Sequence, residues 1–216
     1  MYRLKTEADR ERAGEWYWMP HPVEGFVPAK KIADNAQKWQ FEDESGAQHS
    51  LTKKDYPQLD RLSWLQLRFL QRDLVMLDVM NHALIIYNLR ERFKKNEIYT
   101  NVGTILISLN PYKQLPLYTP QVLNEYINRG SKKLAPHVYE IADAAYAHLR
   151  EKNLGQSIVI SGESGAGKTE CTKQCLQYIA EIAGSTSQVG PEERILMSNP
   201  ILEGSSTSTP NASSAI

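Results

Sequence analysis

A glycine-rich run, SGESGAGKTE from Ser161 to Glu170, constrains this chain more than any other feature of its sequence. Residues 162–169 satisfy the pattern G-x-x-x-x-G-K-[ST] at every fixed position. Glycines allow a tight turn with positive φ, so that successive backbone N–H groups can point inward. Together with the N-terminus of a following helix, these groups form a cradle for phosphate. The run therefore predicts a phosphate-binding loop.

The sequence on either side of this glycine loop (residues 162–169) predicts the context that the pattern requires. Residues 157–161 (SIVIS) have the composition of a short buried strand. Residues 169–183 predict a helix, and its expected apolar face consists of Leu176, Ile179, Ala180 and Ala183. Strand, glycine loop and helix follow one another as in nucleoside triphosphatases and kinases of the P-loop type. The loop alone does not distinguish between these two classes.

Individual side chains of the glycine loop have predicted roles. Lys168 is expected to reach the β- and γ-phosphate oxygens, and the Thr169 hydroxyl is expected to ligate Mg²⁺. Ser164, on the crest of the loop, is placed to contact the terminal phosphate. We predict Lys168 and Ser164 as catalytic residues. The predicted nucleotide-binding residues of the loop are Gly162, Glu163, Ser164, Gly165, Ala166, Gly167, Lys168 and Thr169.

The N-terminal part of the chain predicts a small all-β module. Short aromatic and apolar runs alternate with turn residues, and residues 38–42 (KWQFE) alternate with period 2. Residues 48–52 can return as the partner strand, and the pattern predicts five short strands that close into a small barrel. The tryptophans are predicted to form its core, with a peptide-binding face as the alternative; they are Trp16, Trp18 and Trp39.

The residues between this module and the glycine loop predict mixed secondary structure. Residues 81–95 predict an amphipathic helix with Ile85, Leu89 and Phe93 on its apolar face and Leu84 and Ile86 beside them. A β-rich run at 102–109 is stopped by Asn110 and Pro111. Two further helices are predicted, each with a proline at or near its first turn; they span 120–128 and 136–151.

Composition narrows the class of protein. Lys and Arg number 25, as do Asp and Glu, so no net charge attracts the chain to nucleic acid or to an anionic membrane. The longest apolar runs are too short to span a bilayer. Two cysteines cannot form a disulfide framework or a four-ligand zinc site, and Cys171 and Cys175 are expected to pack on one helix face rather than to hold a metal. A cytoplasmic location is expected.

Residues 162–170 (GESGAGKTE) are identical to the form that the P-loop takes in myosin motors, and a second segment resembles the same family. Residues 103–118 (GTILISLNPYKQLPLY) are similar to the myosin strand and purine-binding loop. The resemblance implies that Asn110, Pro111 and Tyr118 bind the adenine of ATP, since Tyr118 offers a flat ring and a hydroxyl. It also implies that Glu170 joins an ion-pair or hydrogen-bond network beside the nucleotide. The alternative interpretation is that Glu170 is a carboxylate in the first turn of a helix, where the macrodipole favours negative charge.

The resemblance extends over residues 14–203. It implies an α/β P-loop NTPase fold, with a mixed sheet and flanking helices as in part of a myosin motor, preceded by a small all-β SH3-like barrel. The expected organisation is an N-terminal extension (1–13), the barrel (14–58), the N-terminal portion of the motor domain (65–203) and a disordered low-complexity tail (204–216). The last family-like segment is SNPILE at 198–203.

The function that the resemblance implies is movement on actin filaments driven by hydrolysis of MgATP. The implied cofactors are ATP and Mg²⁺, the implied partner is actin, and the implied location is the cytoskeleton, in a myosin complex. No nucleic-acid partner and no membrane span are expected. The light-chain-binding helices of the family have no counterpart in this sequence.

The residues after Glu203 depart from the family pattern. In myosins this segment continues with Ala-Phe-Gly-Asn-Ala toward the first switch loop, whereas here it reads GSSTSTPNASSAI. We therefore expect a heavy chain truncated before the first switch, with little hydrolysis of ATP because both switch loops and the actin-binding region are missing. The alternative is a non-catalytic binding product with a vestigial P-loop. Another P-loop kinase ranks last, since no arginine-bearing lid follows residue 184.

Overall fold

The computed structural model describes residues 14–35, 37–52, 59–63, 67, 69–129 and 133–184. These residues divide into two compact units, with the boundary between Pro111 and Tyr112. Three segments named in the sequence analysis lie outside the described residues, namely 1–13, 198–203 and 204–216.

The first unit opens with a four-stranded antiparallel sheet, in which each strand pairs with the next along the chain. Its strands are β1 (Trp16–His21), β2 (Gly25–Asp34), β3 (Lys38–Asp43) and β4 (Gln48–Thr52). On the other side of β1, a single antiparallel bridge joins Tyr17 to Arg61. The small all-β module is confirmed. Its described residues form four strands and this bridge, where five strands are predicted.

Apolar residues cover both faces of the sheet, because successive side chains of a strand point to opposite sides. Tyr17 and Met19 of β1 pack with Ala29 and Phe41 on one face. Trp18, only 1% exposed, points to the other face and packs against helix α1 (His82–Lys94). The tryptophans confirm the prediction of core positions: Trp18 is fully buried, while Trp16 and Trp39 are partly buried beside the two clusters.

Helix α1 confirms the helix predicted for residues 81–95, and its N-cap is Asn81, whose side chain accepts a hydrogen bond from the N–H of Leu84. The predicted apolar face is wrong by one position. The buried side consists of Ala83, Leu84, Asn88 and Arg92, whereas Phe93 is exposed.

Hydrogen bonds explain why two polar residues lie on the buried side of α1. Asn88 accepts from the backbone N–H of Gln71 at 2.7 Å and donates to the Gln71 carbonyl at 3.0 Å. Arg92 donates to the Tyr99 carbonyl at 2.8 Å and to Thr100 Oγ1 at 3.0 Å. Buried polar groups are tolerated when they are paired in this way. The partners of both side chains lie outside the helix, so helical periodicity could not reveal them.

The β-rich run predicted at 102–109 is a hairpin rather than one strand. Strand β5 (Tyr99–Val102) pairs antiparallel with β6 (Ile105–Ser108), and the chain turns at Gly103, whose φ is +61°. Asp73 Oδ1 accepts a hydrogen bond from the Gly103 N–H at 3.0 Å. The turn is thus stabilised by a residue 30 positions earlier in the chain.

The described residues of the second unit form three α-helices: α2 (Pro120–Ile127), α3 (Val138–Lys152) and α4 (Lys168–Ala183). All three confirm predicted helices, although α3 begins two residues later than expected because His137 caps it. The predicted apolar face of α4 is wrong, since its buried residues are Gln174, Cys175 and Tyr178. Among the described helices, none is both long and apolar enough to cross a membrane.

Cys175 and Cys171 behave as packed helix residues, as predicted. Cys175 is buried and Cys171 is half-buried. Burial, together with the neighbouring Cys171, raises the pKa of the Cys175 thiol to about 11. The Cys175 thiol is therefore protonated at neutral pH.

The strand predicted at residues 157–161 is not formed within the described part of the chain. These residues have no strand pairing, and the Val159 side chain is 88% exposed. A strand exists only when its backbone groups pair with a neighbour, and the described part of the chain supplies no strand beside this segment.

Asp43, at the end of β3, organises the turn between β3 and β4. Its Oδ1 accepts hydrogen bonds from the Ser45 N–H at 2.8 Å and the Ala47 N–H at 3.0 Å, and its Oδ2 lies 2.8 Å from His49 Nε2. Burial alone would raise the pKa of Asp43, but hydrogen bonds from Ser45, His49 and Ala47 outweigh it and lower the pKa to about 2.

We expect Asp43→Asn to lower the free energy of unfolding by about 2 kcal/mol at neutral pH, because hydrogen bonds to a charged acceptor are lost. Since the folded pKa of about 2 lies below the ordinary value of 3.8, the stabilisation is present above pH 4 and lost as the pH falls toward 2. Urea unfolding of both proteins between pH 2.5 and 7 measures this difference. The matched control is Asp34→Asn at an exposed ion pair, with an expected cost under about 0.5 kcal/mol. A pH-independent difference for Asp43→Asn would contradict the argument.

Candidate functional site

The glycine loop leads directly into the first turn of α4, and its backbone has the conformation for which glycine is needed. Gly165 and Gly167 have φ values of +77° and +95°, in the left-handed region. At Gly162, an added Cβ would lie 3.0 Å from the Cβ of Ala166. The Ala166 N–H donates to the Glu163 carbonyl at 3.2 Å and closes the turn. A side chain at any of these three glycines would strain or displace the loop.

The N-terminus of α4 lacks the side-chain cap that the other described α-helices have. Asn81, Thr119 and His137 each accept a hydrogen bond from a first-turn N–H of α1, α2 and α3. The N-cap of α4 is Gly167, which provides no side-chain acceptor. A helix N-terminus carries partial positive charge and N–H groups that lack helical partners. An anion held in the glycine loop would supply acceptors for these groups.

Lys168, the first residue of α4, reaches back across the glycine loop. Its Nζ donates to the Gly162 carbonyl at 3.0 Å and to the Glu163 carbonyl at 2.9 Å. The ammonium is therefore held next to the loop backbone. Ser164 and Thr169 are exposed, the first in the turn of the loop and the second in the first turn of α4. The site thus combines one cation, backbone donors and two hydroxyl side chains.

Glu170 has the features of both interpretations given in the sequence analysis. It lies in the first turn of α4, where the macrodipole favours a carboxylate. Its Oε1 also accepts a hydrogen bond from Gln174 Nε2 at 2.9 Å, and its Oε2 lies 3.8 Å from Lys173 Nζ. The carboxylate is therefore oriented by a neighbour one turn further along the helix.

The predicted adenine-binding residues are divided between the two units. Asn110 and Pro111 follow β6 at the end of the first unit, whereas Tyr118 belongs to the second unit, as does the glycine loop. The Tyr118 ring centroid lies 5.6 Å from that of His137 and 6.4 Å, edge-on, from that of Tyr139. Tyr118 is half-buried, so part of its surface stays accessible to a ligand.

The aromatic cluster beneath Tyr118 contains residues that sequence reasoning missed. The Tyr139 and Tyr178 rings stack at 5.2 Å and join α3 to α4. The Tyr139 hydroxyl donates to Gln174 Oε1 at 3.1 Å, and the Tyr178 hydroxyl donates to Asp143 Oδ1 at 3.0 Å. Burial raises the pKa of both phenols, that of Tyr139 to about 12, so both remain hydrogen-bond donors. In the sequence, nothing separates these residues from ordinary helix residues.

His137 links this cluster to the segment that carries Tyr118. Burial lowers its pKa to about 4, so the ring is neutral at physiological pH. Its Nδ1 accepts from the Tyr139 N–H at 3.1 Å, which leaves Nε2 to donate to the Leu117 carbonyl at 3.1 Å. Both ring nitrogens are thus used, and the tautomer is determined by its partners.

Comparison with known proteins identifies the family of the chain. The family model of the myosin head (motor domain) matches residues 71–215, a range that contains the glycine loop and the Tyr118 segment. The chain belongs to the myosin head family. The matched range also continues past Gly204, where the sequence resemblance was expected to end.

Several individual myosins are similar in sequence to this chain, over 61% to 88% of its length. The high molecular weight form of myosin-1 from Acanthamoeba castellanii is 50% identical over 191 residues, which is 88% of this chain and 12% of that protein. Unconventional myosin-Ib from Mus musculus is 45% identical over 132 residues, 61% of this chain and 12% of its own length. Myosin type-2 heavy chain 2 from Schizosaccharomyces pombe is 34% identical over 196 residues, 87% of this chain and 9% of its own length. The chain thus spans 9–12% of the length of these relatives.

We expect Gly167→Ala to destabilise this myosin chain by about 1–2 kcal/mol, because an L-residue is strained at positive φ. The strain should also reduce the affinity of the glycine loop for inorganic tripolyphosphate. Urea unfolding and calorimetric titration measure the two effects. Gly155→Ala is the matched control, since Gly155 has no positive φ and an added Cβ there would meet no atom within 4 Å. Equal effects of the two substitutions would contradict the role given to the Gly167 backbone.

Proposed function

We propose that this myosin chain binds MgATP at the glycine loop and is the nucleotide-binding part of an actin-based motor. The observation that carries the proposal is the junction of the loop with α4. There, two glycines at positive φ precede a helix whose N-terminus has no side-chain cap, and Lys168 lies over the loop. This set of donors suits a polyphosphate anion, because it provides backbone N–H groups, a helix dipole and a cation at one place.

Each residue of the site has a proposed role. The backbone of residues 162–167 would hold the phosphates, and Lys168 would exchange its two carbonyl partners for phosphate oxygens. We propose Lys168 and Ser164 as the catalytic residues of the complete motor, and Thr169 as a ligand of Mg²⁺. When bound, MgATP supplies the phosphoanhydride whose hydrolysis drives movement. Asn110, Pro111 and Tyr118 would bind the adenine, and Glu170 would belong to the network beside the nucleotide.

The finer features of the fold are also part of the proposal. In the complete motor, residues 157–161 would pair with neighbouring strands in the mixed sheet of a P-loop NTPase. This is supported by the apolar character of Ile158, Val159 and Ile160 and by the exposure of Val159 in the present structure. We interpret the N-terminal antiparallel sheet as an SH3-like barrel.

Actin filaments are the proposed partner of the complete motor, and the cytoskeleton is its proposed location. Membership in the myosin family supports both. We propose that the 216-residue chain binds MgATP, and we assign hydrolysis to the complete motor.

Calorimetric titration of the purified chain with MgATP, followed by a phosphate-release assay and sedimentation with F-actin, tests the proposal. We expect the chain to bind MgATP. Failure to bind either MgATP or tripolyphosphate would overturn the proposal and favour a vestigial loop. Phosphate release that disappears in Lys168→Ala would show that hydrolysis does not require the complete motor.

A further inference from the structure

A series of hydrogen bonds connects the segment that carries Tyr118 with helix α3. His137 Nε2 donates to the carbonyl of Leu117, the residue immediately before Tyr118, at 3.1 Å. The Tyr139 N–H donates to His137 Nδ1, also at 3.1 Å. The His137 and Tyr139 ring centroids lie 4.4 Å apart. A displacement of the start of α3 would therefore displace the Tyr118 segment or break these bonds.

The same series continues from α3 to the glycine loop. The Tyr139 hydroxyl donates to Gln174 Oε1 at 3.1 Å, and Gln174 Nε2 donates to Glu170 Oε1 at 2.9 Å. Glu170 directly follows Thr169, the last residue of the glycine loop. Through Tyr139, which contributes its backbone N–H to one side and its hydroxyl to the other, the Tyr118 segment is connected to the first turn of α4.

Burial restricts the part of this connection from His137 to Gln174, whereas the Glu170 side chain at its end is 53% exposed. His137, Tyr139 and Gln174 are 3%, 0% and 8% exposed. The Gln174 amide cannot be reversed, because its oxygen faces the Tyr139 hydroxyl and its nitrogen faces a carboxylate. In a close-packed interior, a broken hydrogen bond would leave an unsatisfied polar group, which costs free energy. A contiguous network of this kind is able to couple two sites.

We propose that Tyr139 and Gln174 are positioning residues that hold the Tyr118 segment and the glycine loop in one relative arrangement, and thereby increase the preference for ATP over its triphosphate part alone. This inference rests on the proposed function, in which Tyr118 contacts adenine. Inorganic tripolyphosphate uses only the glycine loop, whereas ATP uses both places. The ratio of the two affinities therefore measures the contribution of the base and of its alignment with the loop.

The test compares two tyrosine variants of the full 216-residue chain. Tyr139→Phe removes the hydroxyl that bonds Gln174, whereas Tyr178→Phe removes the hydroxyl that bonds Asp143. Both tyrosines are 0% exposed and belong to the same stacked pair, so the two variants lose one hydrogen bond each from equivalent surroundings. We expect Tyr139→Phe to lower the ratio of MgATP to tripolyphosphate affinity about fivefold, at the lower end of coupling between sites. Tyr178→Phe should leave the ratio unchanged.

A second variant keeps the test decisive if Tyr139→Phe does not fold. Gln174→Met removes the side-chain amide that bonds both Tyr139 and Glu170. It should therefore also lower the ratio of MgATP to tripolyphosphate affinity. An unchanged ratio in the folded variant, or an equal change in Tyr178→Phe, would overturn the inference while the proposed function stands. If the unmodified chain binds MgATP no more tightly than tripolyphosphate, the inference fails but phosphate binding by the loop stands. If the unmodified chain binds neither, both proposals fail.

Discussion

Replacing Lys168 with alanine is expected to lower the affinity of this myosin chain for MgATP about 100-fold. The Lys168 ammonium is the cation held at the glycine loop, 2.9 Å from the Glu163 carbonyl, and in the proposed complex it exchanges such neutral partners for phosphate oxygens. A hydrogen bond between charged groups contributes about 1.5–3 kcal/mol, and the upper part of this range corresponds to about 100-fold. Calorimetric titration with MgATP measures the change.

The matched control for Lys168→Ala is Lys94→Ala. Lys94 is an exposed lysine on α1 and forms an ion pair with Glu91 at 2.7 Å. The substitution removes the same charge from the chain at a place without a proposed ligand. We expect a change in affinity of less than about twofold, since Lys94 has no proposed contact with the ligand and exposed charges are screened by salt. If both variants lost affinity equally, net charge rather than the position of Lys168 would govern binding.

Trp18→Ala is expected to lower the free energy of unfolding by about 3–5 kcal/mol, the cost of removing a fully buried aromatic side chain and leaving a cavity. The Trp18 side chain is 1% exposed, and its ring centroid lies 5.5 Å from that of Tyr87 on α1. The cluster around it also contains Ala83 and Leu84 of α1. The substitution should therefore destabilise both the N-terminal sheet and helix α1, because Trp18 packs between them. Urea unfolding followed by circular dichroism measures the loss.

Trp39→Ala serves as the control for the Trp18 substitution. Trp39 is partly buried beside the cluster on the opposite face of the sheet, and the Lys31 ammonium lies 3.6 Å from its ring centroid. Folding buries less apolar surface at Trp39 than at Trp18. We therefore expect Trp39→Ala to lower the free energy of unfolding by about half as much, roughly 2 kcal/mol. Equal losses in the two variants would show that burial against α1 does not set the cost at Trp18.

Elements with strong local signals were predictable from the sequence. Helix α2 begins as its sequence indicates, with Thr119 as N-cap and Pro120 as the first helical residue. Strand β3 alternates with period 2, and the other strands of the N-terminal sheet were indicated by short aromatic and apolar runs between turn residues. The proposed phosphate-binding residues are likewise contiguous in sequence, so the pattern at 162–169 contains them.

Elements that depend on distant partners were not predictable. The buried side of α1 includes Asn88 because Gln71 lies opposite it, 17 residues earlier in the chain. The hairpin at Gly103 depends on Asp73. The segment 157–161 has strand-forming composition, but a strand also needs neighbouring strands, which the described residues do not supply. In each case the deciding interaction joins residues that no local window contains.

For this protein, the sequence by itself determined the conformation and chemistry of the glycine loop. Gly165 and Gly167 adopt positive φ because they lack a Cβ, and Lys168 follows them directly at the helix start. Only the tertiary structure decided what supports that loop, since Tyr139 and Gln174 lie 35 positions apart and meet when α3 packs on α4. Backbone sterics act within a few residues, whereas burial selects hydrogen-bond partners from the whole folded unit.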